Sequence, residues 1–359
     1  MATLQELRQS IDRLDDEIVG LLNARARAAV EIGRLKTASG AAVFSADRER
    51  EVLDRVTALS GGPLSRDSLL SIYRELMSAS FALERAPRVG YLGPEGSYCH
   101  EAAMGKFGAS VEYEPLSDIG AVFDEITRAH VDYGVVPVEN STAGAVLDTL
   151  DSFCTHDVRI CSEIQRAIHH NLLAKCRQDE IEVVYSRPEA LAQCQRWLTE
   201  TGLSGRTAGA PSTSKAAELA ASQPRAAAVG SKLAARFHGL AILAEHIEDH
   251  PDNATRFFVL GGQPPNPTGR DRTSLMFTTA HQAGALVDVL LVFQKAGINM
   301  TMITSRPSAT AELNYNFFVD LDGHEADPPV KIALDEARRH CQTLRVLGSY
   351  PKATEVLAA

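Results

Sequence analysis

The sequence predicts a multidomain chain of three units: an all-α segment, an α/β segment and an α+β segment of ferredoxin-like order. Three observations predict it. Apolar residues in 4–38 recur at alternating spacings of three and four, the period of a helix packed along one stripe. From Arg88 onward, strand-like runs alternate with Ala-rich helical stretches, the signature of an α/β layer structure with a largely parallel sheet. The linker GGQPPNPTGRD at 261–271 then sets off a last unit read as strand, helix, strand, strand, helix, strand. At 359 residues the chain is too long for one compact core. The units are placed at 1–86, 88–262 and 272–359.

Composition narrows the function. A net charge of -10 argues against nucleic acid and anionic membranes as partners. An anionic substrate must therefore meet locally clustered Arg and Lys. No apolar run reaches the ~18–20 residues of a membrane span. The six cysteines form no CxxC pair, and MATLQELRQS lacks a signal-peptide pattern, so reduced thiols and a cytoplasmic location are expected.

The first helix carries Leu4, Leu7, Ile11, Leu14, Ile18, Leu21, Ala28, Ile32 and Leu35 on its stripe. Thr3 and Glu6 can form its capping box. At 1.5 Å per residue it spans roughly 50 Å, so it needs partner helices, and a second subunit is the simplest source. Two shorter helices follow near 46–59 and 65–84, with Ser65 as an N-cap candidate. Arg25 occupies a seam position, and Lys36, eleven residues on, lies ~20° from it around the helix. Two cations thus share the stripe meant for burial, or snorkel from it onto a solvated face. Arg48 and Glu49 open the second helix; Ser80 and Glu84 sit four apart near the end of the third.

The pattern LRQSID-x-LD-x-x-I-x-x-LLNARA…IGRLK…DRER…SIYRELMSAS resembles the all-α chorismate mutases, most closely the mutase domain of fused bacterial P-proteins. The resemblance implies that Arg25 grips a substrate carboxylate and that Arg8 is lent by the other subunit of an intertwined dimer. It implies Lys36 as donor to the ether oxygen, with Arg48 and Glu49 holding a carboxylate and the ring hydroxyl. A Claisen rearrangement needs no cofactor, metal or nucleophile, only a folded dianion and donors where negative charge develops. Two positions depart from the pattern. Glu84 stands where Gln is usual and can donate only when protonated, and Ser45 replaces an Asp.

In the second unit, GPEGSYCHEAA (93–103) invites a phosphate-loop reading but lacks GxGxxG and GKS/T. VPVENSTAGAV puts Glu139, Asn140, Ser141 and Thr142 at a strand end, where open α/β sheets bind ligands; a turn capped by Asn and Ser is the plainer alternative. Glu245, His246 and His250 have helical spacing without a third ligand nearby, and His169 and His170 read as structural, so no metal site is expected. The GPEGS and VENS blocks and the triplet Thr255, Arg256, Phe257 resemble prephenate dehydratases, whose fold is two α/β lobes around a cleft, similar to periplasmic binding proteins. The resemblance gives Thr255 the catalytic role. It places Glu139, Asn140, Ser141, Gln193, Ser212, Thr213, Arg256 and Phe257 at the substrate.

The last unit resembles an ACT regulatory domain. Gly284, Ala285 and Leu286 match its GAL motif, and Thr304, Ser305, Arg306 and Pro307 match ESRP with Thr for Glu. The resemblance implies that these, with Asn299, bind phenylalanine at a dimer interface. The expected activity is conversion of chorismate through prephenate to phenylpyruvate by a homodimer or higher homo-oligomer, inhibited by L-phenylalanine. Arogenate dehydratase and a non-catalytic solute-binding protein remain as alternatives from sequence.

Overall fold

The computed structural model describes residues 2–307, 315–354 and 356–357, so parts of the last predicted unit, 308–314 and residues 355, 358 and 359, lie outside the described residues. The chain opens with α1 (Leu4–Ser39), α2 (Ala46–Leu59) and α3 (Arg66–Arg85). Thr3 and Glu6 close the capping box on α1, and Ser65 caps α3 by accepting from the Ser68 amide. Within the chain α3 packs on the C-terminal half of α1. Of α1, only Ala29 and Gly33 are buried. Leu7, Ile11, Leu14 and Ile18 are at least half exposed, so the predicted apolar stripe is real and uncovered.

The next elements build a first lobe: β1 (Arg88–Leu92), α4 (Tyr98–Phe107), β2 (Glu112–Leu116), α5 (Ile119–Thr127), β3 (Tyr133–Asn140), β4 (Gly144–Ala145), α6 (Leu147–Thr155) and β5 (Ile160–Ala167). The chain then crosses to a second lobe: β6 (Asn171–Ala174), β7 (Val183–Ser186), α7 (Pro188–Gln193), α8 (Gln195–Glu200), β8 (Thr207–Gly209), α9 (Thr213–Ser222), β9 (Ala226–Gly230), α10 (Lys232–His238) and β10 (Ala241–Ala244). It returns to the first lobe in β11 (Ala254–Gly261). Residues 245–253 between β10 and β11 form no helix, so the spacing of Glu245, His246 and His250 does not put them on one helical face.

The sheets are mixed rather than largely parallel. β1 runs parallel to β2 and β3, but β11 is antiparallel to both β3 and β5. In the second lobe β7 is parallel to β8 and β9, while β6 is antiparallel to β9 and β10. A chain that leaves one lobe, builds another and re-enters must lay its returning strand against the outgoing one. Gly96 in the GPEGS turn joins the lobes. It has φ +78, and a Cβ there would lie 2.8 Å from the Ala234 Cα. Ser231 and Ser214 donate to the carbonyls of Gly96 and Glu95. Gly96 thus serves lobe-to-lobe packing, whereas Gly93 packs within the first lobe against Pro115 and Leu116.

The last unit comprises β12 (Asp271–Thr278), α11 (Ala285–Lys295), β13 (Met300–Pro307), β14 (Tyr315–Asp322), α12 (Pro328–Ala337) and β15 (Thr343–Pro351). Its elements follow one another as the sequence pattern predicts, and its antiparallel sheet has the order β13-β14-β12-β15. A final strand, β16 (Val356–Leu357), goes back to the first lobe and pairs with β5. The helical segment is also anchored to that lobe. Phe44, between α1 and α2, packs edge-on against Phe81, Phe107 and Tyr133, and its amide donates to the Tyr133 hydroxyl. Gly108 (φ +74) lets α4 end against α3, where a Cβ would meet the Ser78 Cβ at 2.5 Å.

Candidate active sites

Helices α1, α2 and α3 enclose a cavity of about 670 Å³ lined by Arg25, Lys36, Arg48, Glu49, Ser80 and Glu84. The helical period explains why these residues meet: Arg25 and Lys36 sit on one face of α1, and Ser80 and Glu84 sit one turn apart on α3. Arg25 donates to Ser80 Oγ and to the Leu76 carbonyl. Lys36 Nζ donates to the Val43 carbonyl at 2.7 Å and to Glu84 Oε2 at 2.9 Å. Arg48 is exposed and pairs with Glu51. Glu49 is buried and pairs with Lys106 of α4. Ser45 donates to Asp47 and Asn266 donates to it at 2.8 Å. Burial pushes the Asp47 carboxyl up, but these hydrogen bonds outweigh it and hold the group below its usual range. Arg8 lies outside this cavity and makes no ion pair among the described residues. It is 17 positions before Arg25 on a continuous helix, or roughly 25 Å at 1.5 Å per residue, so it cannot reach the cavity of its own chain.

The second constellation spans the two lobes. Thr255 opens β11 opposite Asn140 of β3. Its Oγ1 accepts from Asn140 Nδ2 at 2.9 Å, which leaves the hydroxyl proton for another acceptor. Asn140 Oδ1 accepts from the Thr142 hydroxyl at 2.6 Å, and Gln193 Nε2 reaches across from the second lobe to Thr142 Oγ1 at 2.9 Å. Gln193 Oε1 lies 2.8 Å from His170 Nε2, and His170 Nδ1 lies 2.8 Å from the Tyr98 hydroxyl. Burial holds the His170 pKa below its usual value, and the ring is hydrogen-bonded at both nitrogens, in keeping with the structural role expected of it. Ser141 accepts from the Ala254 amide at 3.0 Å. Ser212 caps α9, accepting from the Lys215 amide, and Thr213 is buried beside it. Neither touches the network, and Glu139 makes no side-chain hydrogen bond among the described residues.

Two expected cleft residues lie elsewhere. Arg256 follows Thr255 on a strand and so faces the opposite side of the sheet. Its guanidinium is buried between Glu163 of β5 and Asp320 of β14, and it donates to the Tyr350 hydroxyl of β15 at 2.9 Å. Arg272 completes this cluster with a 2.6 Å bond to Glu163. Phe257 faces the hydrophobic core with Tyr91, Phe107 and Val259. Neither is placed to hold a substrate carboxylate. In the last unit, Gly284 (φ +87) opens α11, followed by buried Ala285 and by Leu286. Thr304, Ser305, Arg306 and Pro307 end β13, and Arg306 is tied to Asp151 of α6. The Asn299 amide lies 3.4 Å from Asp322 Oδ2.

Tertiary structure also assembles what spacing could not. His169, His246 and Glu248 bring ligand atoms within 4.8 Å of one another. Glu248 is already engaged, accepting from the His170 amide and lying 2.7 Å from His169 Nδ1, so hydrogen bonding accounts for the cluster. Lys106 and Asn266 are the other residues missed. Both belong to segments remote from the three helices: Asn266 borders their cavity, and Lys106 reaches it only through Glu49; nothing local marks them.

Comparison with known proteins matches residues 7–85 to the chorismate mutase type II model and residues 89–265 to the prephenate dehydratase model. A bifunctional chorismate mutase/prephenate dehydratase of Stutzerimonas stutzeri is 43% identical, covering 98% of each chain. One of Aquifex aeolicus (strain VF5) is 45% identical over 98% of this chain and 99% of its own. This chain belongs to the bifunctional chorismate mutase/prephenate dehydratase family. It is an enzyme of phenylalanine biosynthesis with both activities. The solved structure of a prephenate dehydratase in complex with L-Phe from Arthrobacter aurescens superposes with a TM-score of 0.69 at 32% identity, covering 74% of this chain and 90% of that one. The bifunctional enzyme therefore joins a helical mutase segment to a two-lobed α/β dehydratase of periplasmic-binding-protein-like fold. Among the described residues no helix is long and apolar enough to cross a membrane.

Proposed function

We propose that the helical cavity is the mutase site and the Thr255–Asn140–Gln193 network the dehydratase site. The observation that carries this is the convergence of Arg25, Lys36 and Arg48 on one cavity of a chain with net charge -10. Arg25, steadied by Ser80, and Arg48 hold the two carboxylates of chorismate. Lys36 donates to the ether oxygen as the C–O bond breaks, with protonated Glu84 as second donor, and Glu49 accepts from the ring hydroxyl. Arg8 enters from a second copy whose α1 covers the exposed stripe, giving a homodimer.

At the dehydratase site Thr255 protonates the ring hydroxyl of prephenate, which leaves as water. Carbon dioxide departs with it, and the released electron pair completes the aromatic ring. Asn140, by donating to Thr255 Oγ1, orients the proton toward the cleft. Glu139, Ser141, Gln193, Ser212 and Thr213 shape that cleft. Prephenate is favoured over arogenate because the same chain makes it. Residues 272–359 act as an ACT-type sensor in a cytoplasmic enzyme: α11 and β13 run in opposite directions, which brings Gly284–Leu286 and Thr304–Pro307 to one end of the unit as a phenylalanine site.

The test is Thr255→Ala. Phenylpyruvate formation should fall on the order of 10²–10⁴-fold while chorismate consumption stays at the parent rate. Near-parent dehydration would remove Thr255 from the chemistry. A higher kcat/KM on arogenate than on prephenate would reverse the substrate assignment.

A further inference from the structure

The mutase cavity is not built by the helices alone. Among the described residues, Glu49 is the one lining residue that also borders a second, smaller cavity, of about 100 Å³, between the helices, the first dehydratase lobe and a C-terminal stretch with Pro351, Lys352 and Leu357. From that side Lys106, in the last turn of α4, donates to Glu49 Oε2. The carboxylate is 9% exposed and the lysine side chain 16%. Lys106 is itself anchored on the helical segment, with Nζ 5.4 Å from the centroid of the Phe44 ring. On the far rim, Asn266 of the linker binds Asp47.

We infer that Lys106 is a positioning residue for the mutase reaction, supplied by the dehydratase domain. A buried carboxylate with no partner is costly and adopts whatever rotamer relieves it. Lys106 fixes one oxygen of Glu49, so the other is presented to the cavity in a single orientation. The lysine does not line the mutase cavity, so it acts through Glu49 and touches no substrate. A residue of one catalytic domain thereby orders a substrate ligand of the other. This rests on the reading of the helical cavity as the mutase site and of Glu49 as the acceptor for the substrate hydroxyl.

The full-length enzyme supplies its own control, because both activities are read on one chain. Lys106→Met should lower mutase kcat/KM by about 10- to 100-fold, the range expected when a substrate ligand is misplaced, with dehydratase kcat/KM within about twofold of the parent. Lys106→Arg, which can still donate to Glu49, should recover most of the loss. In a Glu49→Gln background, Lys106→Met should add little, since the group it orients is already altered. Parent-like mutase kinetics in Lys106→Met overturn the inference. So do equal losses in both backgrounds, a parallel fall of both activities, or no rescue by Arg. If Glu49→Gln alone leaves the mutase unchanged, the assignment of Glu49 fails first, and the inference falls with it.

Discussion

Glu84 shows how the charge of one side chain decides what it can do in a site. It lies 2.9 Å from Lys36 and its side chain is almost fully buried. Ionised, it holds the ammonium and repels a developing oxyanion. Glu84→Gln supplies a neutral donor in its place and should keep or raise mutase kcat/KM, with the dehydratase rate unmoved. A large loss of mutase kcat/KM in the variant would leave Glu84 as a structural partner of Lys36. A second residue controls acid stability. His100 stacks on Tyr91 with centroids 4.4 Å apart, and burial lowers its pKa from 6.5 to about 4. The folded chain keeps the ring neutral, whereas the unfolded chain takes up a proton below 6.5. This stability is complete above 6.5 and is lost as pH falls toward 4. Urea midpoints should drop across that window, and more shallowly in His100→Gln; an unchanged slope would exclude the ring. Helical period fixes the angles that bring Arg25, Lys36, Ser80 and Glu84 together, but it was the resemblance to chorismate mutases that marked them as a site. Thr255 was legible from its motif. The strand alternation that turns Arg256 away was equally legible, and the motif obscured it.

At the scale of elements, β11 has two chemically distinct faces. One presents Thr255 to the lobe network, and the other buries Arg256 against β5, β14 and β15. A buried ion cluster of this kind is costly to break, at ~3–5 kcal/mol for removal of one partner. Arg256→Met strands Asp320, since Arg272 still serves Glu163. It should lower unfolding stability by roughly that amount and, on the proposed reading of the last unit as a phenylalanine sensor, decouple phenylalanine from the dehydratase rate. A variant as stable as the parent and still inhibited would show that the cluster neither supports nor transmits. The elements themselves were mostly visible in the sequence: the helix at 46–59 matches α2, and the strand–helix order of the last unit is as expected. Strand direction was not visible. Alternating strands and helices imply parallel neighbours only while the chain stays in one lobe, and no local signal announces that β11 is a returning strand.

For the whole molecule, the uncovered stripe on α1 is what supports the proposed association of two copies at the mutase site. Leu7, Ile11, Leu14 and Ile18 stand at least half exposed on one helix, a larger apolar run than a monomer normally leaves in water. Sedimentation should give a dimer. Leu14→Glu combined with Ile18→Glu should give monomers whose mutase kcat/KM is at least about tenfold lower, because Arg8 no longer reaches a second site, while dehydration continues. A monomeric parent with full mutase activity would contradict this. The three units are expected from changes of hydrophobic period and linker composition along the sequence. Their interlocking is not legible there, because Phe44, Lys106 and Asn266 meet partners distant in sequence. The same interlocking governs the order of events during synthesis. The sheet of the first lobe begins at Arg88, receives β11 only after the second lobe has been made, and gains β16 at Val356–Leu357. At ribosomal rates of ~5–20 residues per second, β1 and β3 wait for many seconds beside a sheet that is still missing its central strand. An unpaired edge of that kind is an invitation to other nascent chains. The helical segment, made before the lobe and seated through Phe44 on Tyr133 and Phe107, packs on a face of the half-built sheet and leaves that edge open while translation finishes.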